Sequence, residues 1–188
     1  MKLFISLLAL GFTLNADILL PENFKTDFQQ TITNDKGKVI KYEGNVLFKN
    51  SKQVLATAEG VETTYTQSLF KWSYSSPTKK EVCTDGIQLI VVDHDLEQVS
   101  NYLIDDGINL EEILKLAKAI SPTDYQATYK DVEYLITMDK KKQLQQIVYV
   151  DNLDNKVKIM FNNMNYDTDV NISTLECNAP QEYDQIKG

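Results

Sequence analysis

Arginine is missing from this chain altogether: the 19 basic residues are all lysine, set against 27 aspartates and glutamates for a formal charge of −8 at pH 7. Nucleic-acid recognition needs clustered positive charge and draws heavily on the guanidinium fork, so an acidic, arginine-free chain excludes that class of partner. Two cysteines are too few for a disulfide framework. Seven glycines and four prolines in 188 residues exclude a collagenous or low-complexity chain, and 43% hydrophobic residues supply a real core. No apolar run reaches the about 20 residues that a membrane-spanning helix needs. Enzyme motifs are missing too: there is no Gly-rich phosphate loop, no His-Glu-x-x-His, no Cys-x-x-Cys and no Gly-x-Ser-x-Gly. What remains is one soluble, acidic domain, its length matching the usual span of about 100–200 residues per domain.

The first residues read as an address. Lys2 is a short positive region, Leu3 to Leu14 is apolar except at Ser6, Gly11 and Thr13, and Leu14-Asn15-Ala16 offers a cleavage site. This predicts a signal peptide over 1–16 and a single mature domain over 17–188, exported across the inner membrane, with an uncleaved anchor as the alternative. No cysteine follows the cut, so the mature chain is not expected to carry a lipid of its own. Cys83 and Cys177 admit two states: a bridge closing a loop of about 94 residues, or two buried thiols on separate strands. The one histidine, His94, sits in Asp93-His94-Asp95. Metal sites and catalytic triads need further ligands or a nucleophile from elsewhere, and without a second histidine His94 is expected to be a solvated loop residue.

Along the mature chain the hydrophobic spacing predicts two helices among many strands. Ile18, Phe24, Phe28 and Ile32 suggest a helix from Asp17 to Ile32. From Lys38 to Ile90 the period becomes two; Phe70, Trp72 and Tyr74 alternate with Lys71, Ser73 and Ser75 in a strand that ends at Pro77. Asp85-Gly86 signals a hairpin turn. Asn109 as cap and Glu112 at the capping-box position open a second helix that Pro122 stops after Ser121. Leu110, Ile113, Leu114, Ala117 and Ile120 form its core face, with Leu116 and Ala119 beside it. Such a helix either plugs a barrel or lies over a cavity. Strands are then expected at Val132 to Met138, Leu144 to Val150, Lys156 to Phe161 and Asn171 to Cys177, with hairpin loops at Lys140-Lys141-Lys142 and Asp151 to Asn155. Short antiparallel strands with two helices predict a strongly curved sheet or open barrel with helices against it.

Several short motifs, in order and at characteristic spacing, resemble the LolA family of periplasmic lipoprotein carriers. They are Phe24 to Thr31 with Gly37 and Gly44, Leu69-Phe70-Lys71-Trp72-Ser73-Tyr74 with Pro77, Thr84-Asp85-Gly86, Asp95-Leu96-Glu97-Gln98-Val99, and the ending Ala179 to Asp184. The resemblance covers nearly the whole mature chain. It implies a mainly β fold with some α: an unclosed antiparallel β-barrel of about 11 strands whose hydrophobic cavity is covered by helices. It also implies a periplasmic monomer without cofactor or catalytic residues. Its cargo would be the acyl chains of outer-membrane lipoproteins, received from an inner-membrane ABC transporter through a transient contact; the receiver at the outer membrane is not identified. Carried over residue by residue, the lipid-binding positions are Phe70, Trp72 and Tyr74 on the aromatic strand and Leu110, Ile113, Leu114 and Ala117 on the covering helix. Plain core packing is the competing role for the aromatic strand.

Two departures from the family pattern stand out. Where many members carry Arg-Pro ahead of the aromatic strand, with the Arg hydrogen bonding to the cover, this chain has Lys49-Asn50, and a lysine lacks the planar fork. An apparent insertion, about 52–66, alternates around Glu59-Gly60 and predicts an extra or lengthened hairpin. Tyr42 to Val46 with Ala56 to Glu59 also echoes the repeats of periplasmic lipopolysaccharide-bridge proteins. A lipid or lipopolysaccharide bridge is therefore the alternative function, and an envelope hydrolase or isomerase with Asp93 or Asp95 as base is a third.

Overall fold

Alternation, rather than helical spacing, governs the start of the described chain. The computed structural model describes residues 18, 20–56, 62–84, 88–103, 110–166 and 168–187. The expected signal peptide, Asn109 and the turns at Glu59-Gly60 and Asp85-Gly86 lie outside them. Where the spacing suggested a helix to Ile32, the chain forms strand β1, Asn23–Thr33. Phe24, Thr26 and Phe28 are buried while Lys25, Asp27 and Gln29 face solvent, which is a strand's period of two. A four-residue spacing of Phe24, Phe28 and Ile32 satisfies both periods, and pairing on both sides decides between them.

The remaining elements are β2 (Val39–Ala56), β3 (Glu62–Ser76), β4 (Lys80–Thr84), β5 (Gln88–Asp93), β6 (Gln98–Leu103), helix α1 (Leu110–Leu116), β7 (Lys118–Ala119), β8 (Asp124–Tyr129), β9 (Val132–Met138), β10 (Leu144–Val150), β11 (Lys156–Asn165) and β12 (Asp184–Lys187). All twelve strands form one sheet in the order β12-β6-β5-β4-β3-β2-β1-β11-β10-β9-β8-β7, antiparallel except for the β12–β6 pair. β12 and β7 stay apart as edges, so the sheet is unclosed. Its inner face buries Phe24, Phe28, Val46, Ile136, Ile147 and Phe161.

Four further expectations change. The second helix ends at Leu116, because Lys118 and Ala119 pair with Gln126 and Tyr125 of β8 instead. Ile120, expected in its core face, is 57% exposed. Residues 171–177 form no strand; Asn171 caps a 3-10 turn over Ile172–Leu175, its side chain accepting from the Ser173 N–H. Only one helix of α type occurs among the described residues, in place of two. The lengthened hairpin is present, since β2 and β3 stay paired out to Ala56 opposite Glu62. The loops at 140–142 and 151–155 also form as expected. In each, one aspartate caps the turn: Asp139 accepts from the Lys141 and Gln143 N–H groups, Asp151 from those of Leu153 and Asn155.

Of the two states open to the cysteines, the bridge is the one that forms, with Cys83 and Cys177 joined at a Cα separation of 5.8 Å. It pins the segment after the 3-10 turn to the outer face of the sheet. Leu175 and Val170 pack there on Leu69 and Leu47, while Lys49 donates to the Val170 carbonyl at 2.6 Å and Lys71 to that of Glu176 at 3.0 Å. Replacing both cysteines by serine should cost about 2–5 kcal/mol in chemical denaturation, because the long closed loop restricts the unfolded chain. The wild type, denatured without reductant, should show no thiol by Ellman titration.

Gly44 sits beside a register shift in β2 and faces Phe28 on one side and Tyr74 on the other. A Cβ there would stand 1.9 Å from the Ser73 carbonyl oxygen and 2.9 Å from Phe28 Cε1. Gly44→Ala should therefore lower stability by about 3 kcal/mol, read as a drop in melting temperature.

Candidate functional site

The strand pairing builds an aromatic cluster inside the sheet. Phe28, from β1, lies over Gly44 and meets Trp72 edge-on at 4.9 Å and Tyr74 at 5.0 Å; Trp72 in turn meets Phe161 of β11 at 6.1 Å. These rings do not fill the interior. A cavity of about 560 Å³ remains, walled by Phe70, Trp72 and Tyr74 of β3 and by Phe48, Ile147 and Phe161 from the neighbouring strands. Leu110, Glu111, Glu112, Ile113 and Lys115 of α1 close one side of it. Tyr65, Thr66 and Lys115 line the cavity and are exposed, which marks its mouth.

Of the seven expected lipid-binding positions, five border this space: Phe70, Trp72, Tyr74, Leu110 and Ile113. Leu114 and Ala117 do not; both are packed into the core, Leu114 at 2% exposure, and Ala117 lies beyond the helix end. Phe24, Phe48, Tyr149 and Phe161 line the cavity and are not among the expected lipid-binding positions. Alternation marks Phe48, Tyr149 and Phe161 as inward-facing, but nothing in alternation separates a wall from a filled core.

The mouth is polar. The Ser68 hydroxyl donates to the Glu111 carboxylate and lies 2.8 Å from the Asn50 amide, so β2, β3 and α1 are tied together at one point. Lys115 adds ion pairs to Glu111 at 2.8 Å and Glu112 at 3.0 Å. Burial pushes the Glu111 carboxyl up, but hydrogen bonds from Lys115 and Ser68 and the Lys115 charge outweigh it, and the group sits below the usual carboxylate range. Lys49 does not reach the helix; it serves the C-terminal segment instead, 3.8 Å from Asp169 and bonded to the Val170 carbonyl.

Away from the cavity, Asp93-His94-Asp95 forms the start of the β5–β6 turn. His94 is half-buried rather than solvated: its Nδ1 lies 3.2 Å from the Tyr183 hydroxyl, and the two rings meet edge-on. Asp93 accepts from the Asp95 and Leu96 N–H groups and pairs with Lys80 at 3.1 Å, and Asp95 accepts from the Lys79 N–H. Burial raises the Asp93 carboxyl, and these bonds together with Lys80 more than reverse it. Both aspartates are occupied in the turn and neither borders the cavity, so the structure offers no support for either as a catalytic base. Among the described residues no group of three or more His, Cys, Asp or Glu side chains is placed to hold a metal ion.

No protein-family model matches the chain. The outer-membrane lipoprotein carrier protein of Campylobacter jejuni is 30% identical over 164 residues, spanning 87% of this chain and 86% of that protein. The protein of the same name from Wolinella succinogenes is 29% identical over 141 residues, 75% of this chain and 73% of its own length. Among solved structures, a LolA superfamily protein from Nitrosomonas europaea superposes with a TM-score of 0.48 at 10% identity, covering 86% of this chain and 93% of that one.

The cavity floor carries phenols. Burial, with a smaller contribution from Tyr42, pushes Tyr74 from 10.0 up to about 12, and burial together with Tyr134, Asp151 and Tyr74 pushes Tyr149 up as well. A phenol whose folded pKa is raised contributes stability that is complete below its unfolded value and lost as pH climbs through the folded one. Stability should therefore fall between pH 10 and about 12. Absorbance at about 295 nm should show these tyrosines ionising last, with unfolding.

Proposed function

The chain belongs to the LolA family of outer-membrane lipoprotein carriers, and we propose on that footing that it binds the acyl chains of lipoproteins released from the inner membrane and delivers them to the outer membrane, working in the periplasm without catalysis. One observation carries the reading: an unfilled, aromatic-walled cavity with a polar mouth, in a chain related over most of its length to proteins named as carriers. Acyl chains cannot cross water unescorted, since each exposed methylene costs about 0.8 kcal/mol. A carrier therefore needs a dry concavity, and the volume here lies within the about 300–1,000 Å³ usual for ligand sites. In this reading Phe70, Trp72, Tyr74, Leu110 and Ile113 contact the cargo, α1 serves as the cover, and Leu114 and Ala117 anchor that cover from behind. The tie from Ser68 to Glu111 takes the place that an arginine holds in other members. An inner-membrane ABC transporter is the expected donor, met transiently and by a monomer.

Trp72 is the chain's one tryptophan and stands in the cavity wall, so it reports directly on occupancy. A lipopeptide with a brominated acyl chain should quench its emission. Phe70→Glu places a charge where the acyl chain passes, and burying an unpaired carboxylate is costly. That variant should melt cooperatively, lose the quenching and fail to release lipoproteins from spheroplasts. Absence of quenching in the wild type would sink the carrier reading.

A further inference from the structure

Beyond the body of the sheet, β2 and β3 continue as a two-stranded arm. Among the described residues β4 joins β3 only from Phe70 onward, opposite Thr84, whereas β3 begins at Glu62 and is paired there with β2 alone. From Glu62 to Thr66 the other edge of β3 thus carries no ladder among the described residues, along about 17 Å of strand. Natural sheets blunt such edges with proline, lysine or a bulge, because exposed N–H and C=O groups template a further strand. None of these guards is present here. The sequence is Glu62-Thr63-Thr64-Tyr65-Thr66, rich in the β-branched and aromatic residues that favour strands, and its pairing with β2 shows no register shift.

The same strand leads out of the cavity. Phe70 and Trp72 belong to its wall, Ser68 ties it to α1, and Tyr65 and Thr66 form its exposed rim. A cargo whose acyl chains lie among Phe70 and Trp72 must leave its polypeptide at this rim, beside the open edge. We propose that the edge of β3 from Glu62 to Thr66 receives the polypeptide segment adjoining the acylated end of the cargo, as an added strand. The inference rests on the carrier reading above and extends it from the acyl chains to the chain they are attached to. Main-chain hydrogen bonding requires no particular side chains, so the edge serves cargoes of unrelated sequence.

Two lipopeptides with the same brominated acyl group, one with a dipeptide and one with a polar decapeptide, test this through Trp72 quenching. The decapeptide should bind about tenfold more tightly, and alternate backbone N-methylation should reduce it to the dipeptide's affinity. Hydrogen exchange at the amides of 62–66 should slow with the decapeptide and not with the dipeptide. Equal affinities, or protection confined to other strands, would overturn the added strand while leaving the carrier reading in place. Failure of the dipeptide to quench would overturn both. A ligand-free dimer protecting these same amides would assign the edge to a second copy and overturn the proposal.

Discussion

The close approach of two backbones at Gly44 is the constraint on which the interior depends. With no side chain there, the Phe28 ring can lie against β2 while still meeting Trp72 and Tyr74 edge-on, each near 5 Å. Offset and edge-on geometries are the favourable ones for aromatic rings, and rings held this way resist collapsing onto each other. The wall therefore keeps its shape with space in front of it. Cavities in protein interiors are few and expensive because packing is normally dense, so a wall that holds itself open needs internal support. Phe28, fully buried behind Trp72, provides it.

Polar work is divided between the two faces of the sheet. On the inner side, Asn50, Ser68, Glu111 and Lys115 join three elements around the mouth. On the outer side, Lys49, Lys71 and the Cys83–Cys177 bridge hold a segment from the end of the chain across β2, β3 and β4. Neighbouring residues in sequence, Lys49 and Asn50, thus serve opposite faces, as alternation along a strand demands.

Much of this architecture was legible in the sequence, and the exceptions have physical causes. The strands at 132–138, 144–150 and 156–161 and the loops that Asp139 and Asp151 cap could be placed because alternation and turn chemistry agreed. Phe70, Trp72 and Tyr74 were recognisable as one face of a strand for the same reason. β1 was misplaced because a spacing of four suits two periods, and α1 was overextended because pairing of Lys118 and Ala119 with β8 overrides local helical preference. Leu114 and Ala117 share a hydrophobic stripe with Ile113, yet only Ile113 borders the cavity; a stripe records burial and not what lies on the far side. The Ser68–Glu111 contact joins residues far apart in the chain and leaves no local mark at all.

Seven residues of helix are too few to persist alone in water, where about 12–15 are needed even for favourable sequences. The order of α1 is borrowed from Ile113 and Leu114, both almost completely withdrawn from solvent. Swinging α1 away from an empty interior would wet these two side chains at about 1.5–3 kcal/mol each, with nothing to offset the exposure. On the carrier reading proposed above, an acyl chain lying against Ile113 would keep that side chain dry. On that reading an unladen molecule would be biased toward staying shut, and the barrier to gaping would fall when something hydrophobic stands ready to replace what the helix gives up.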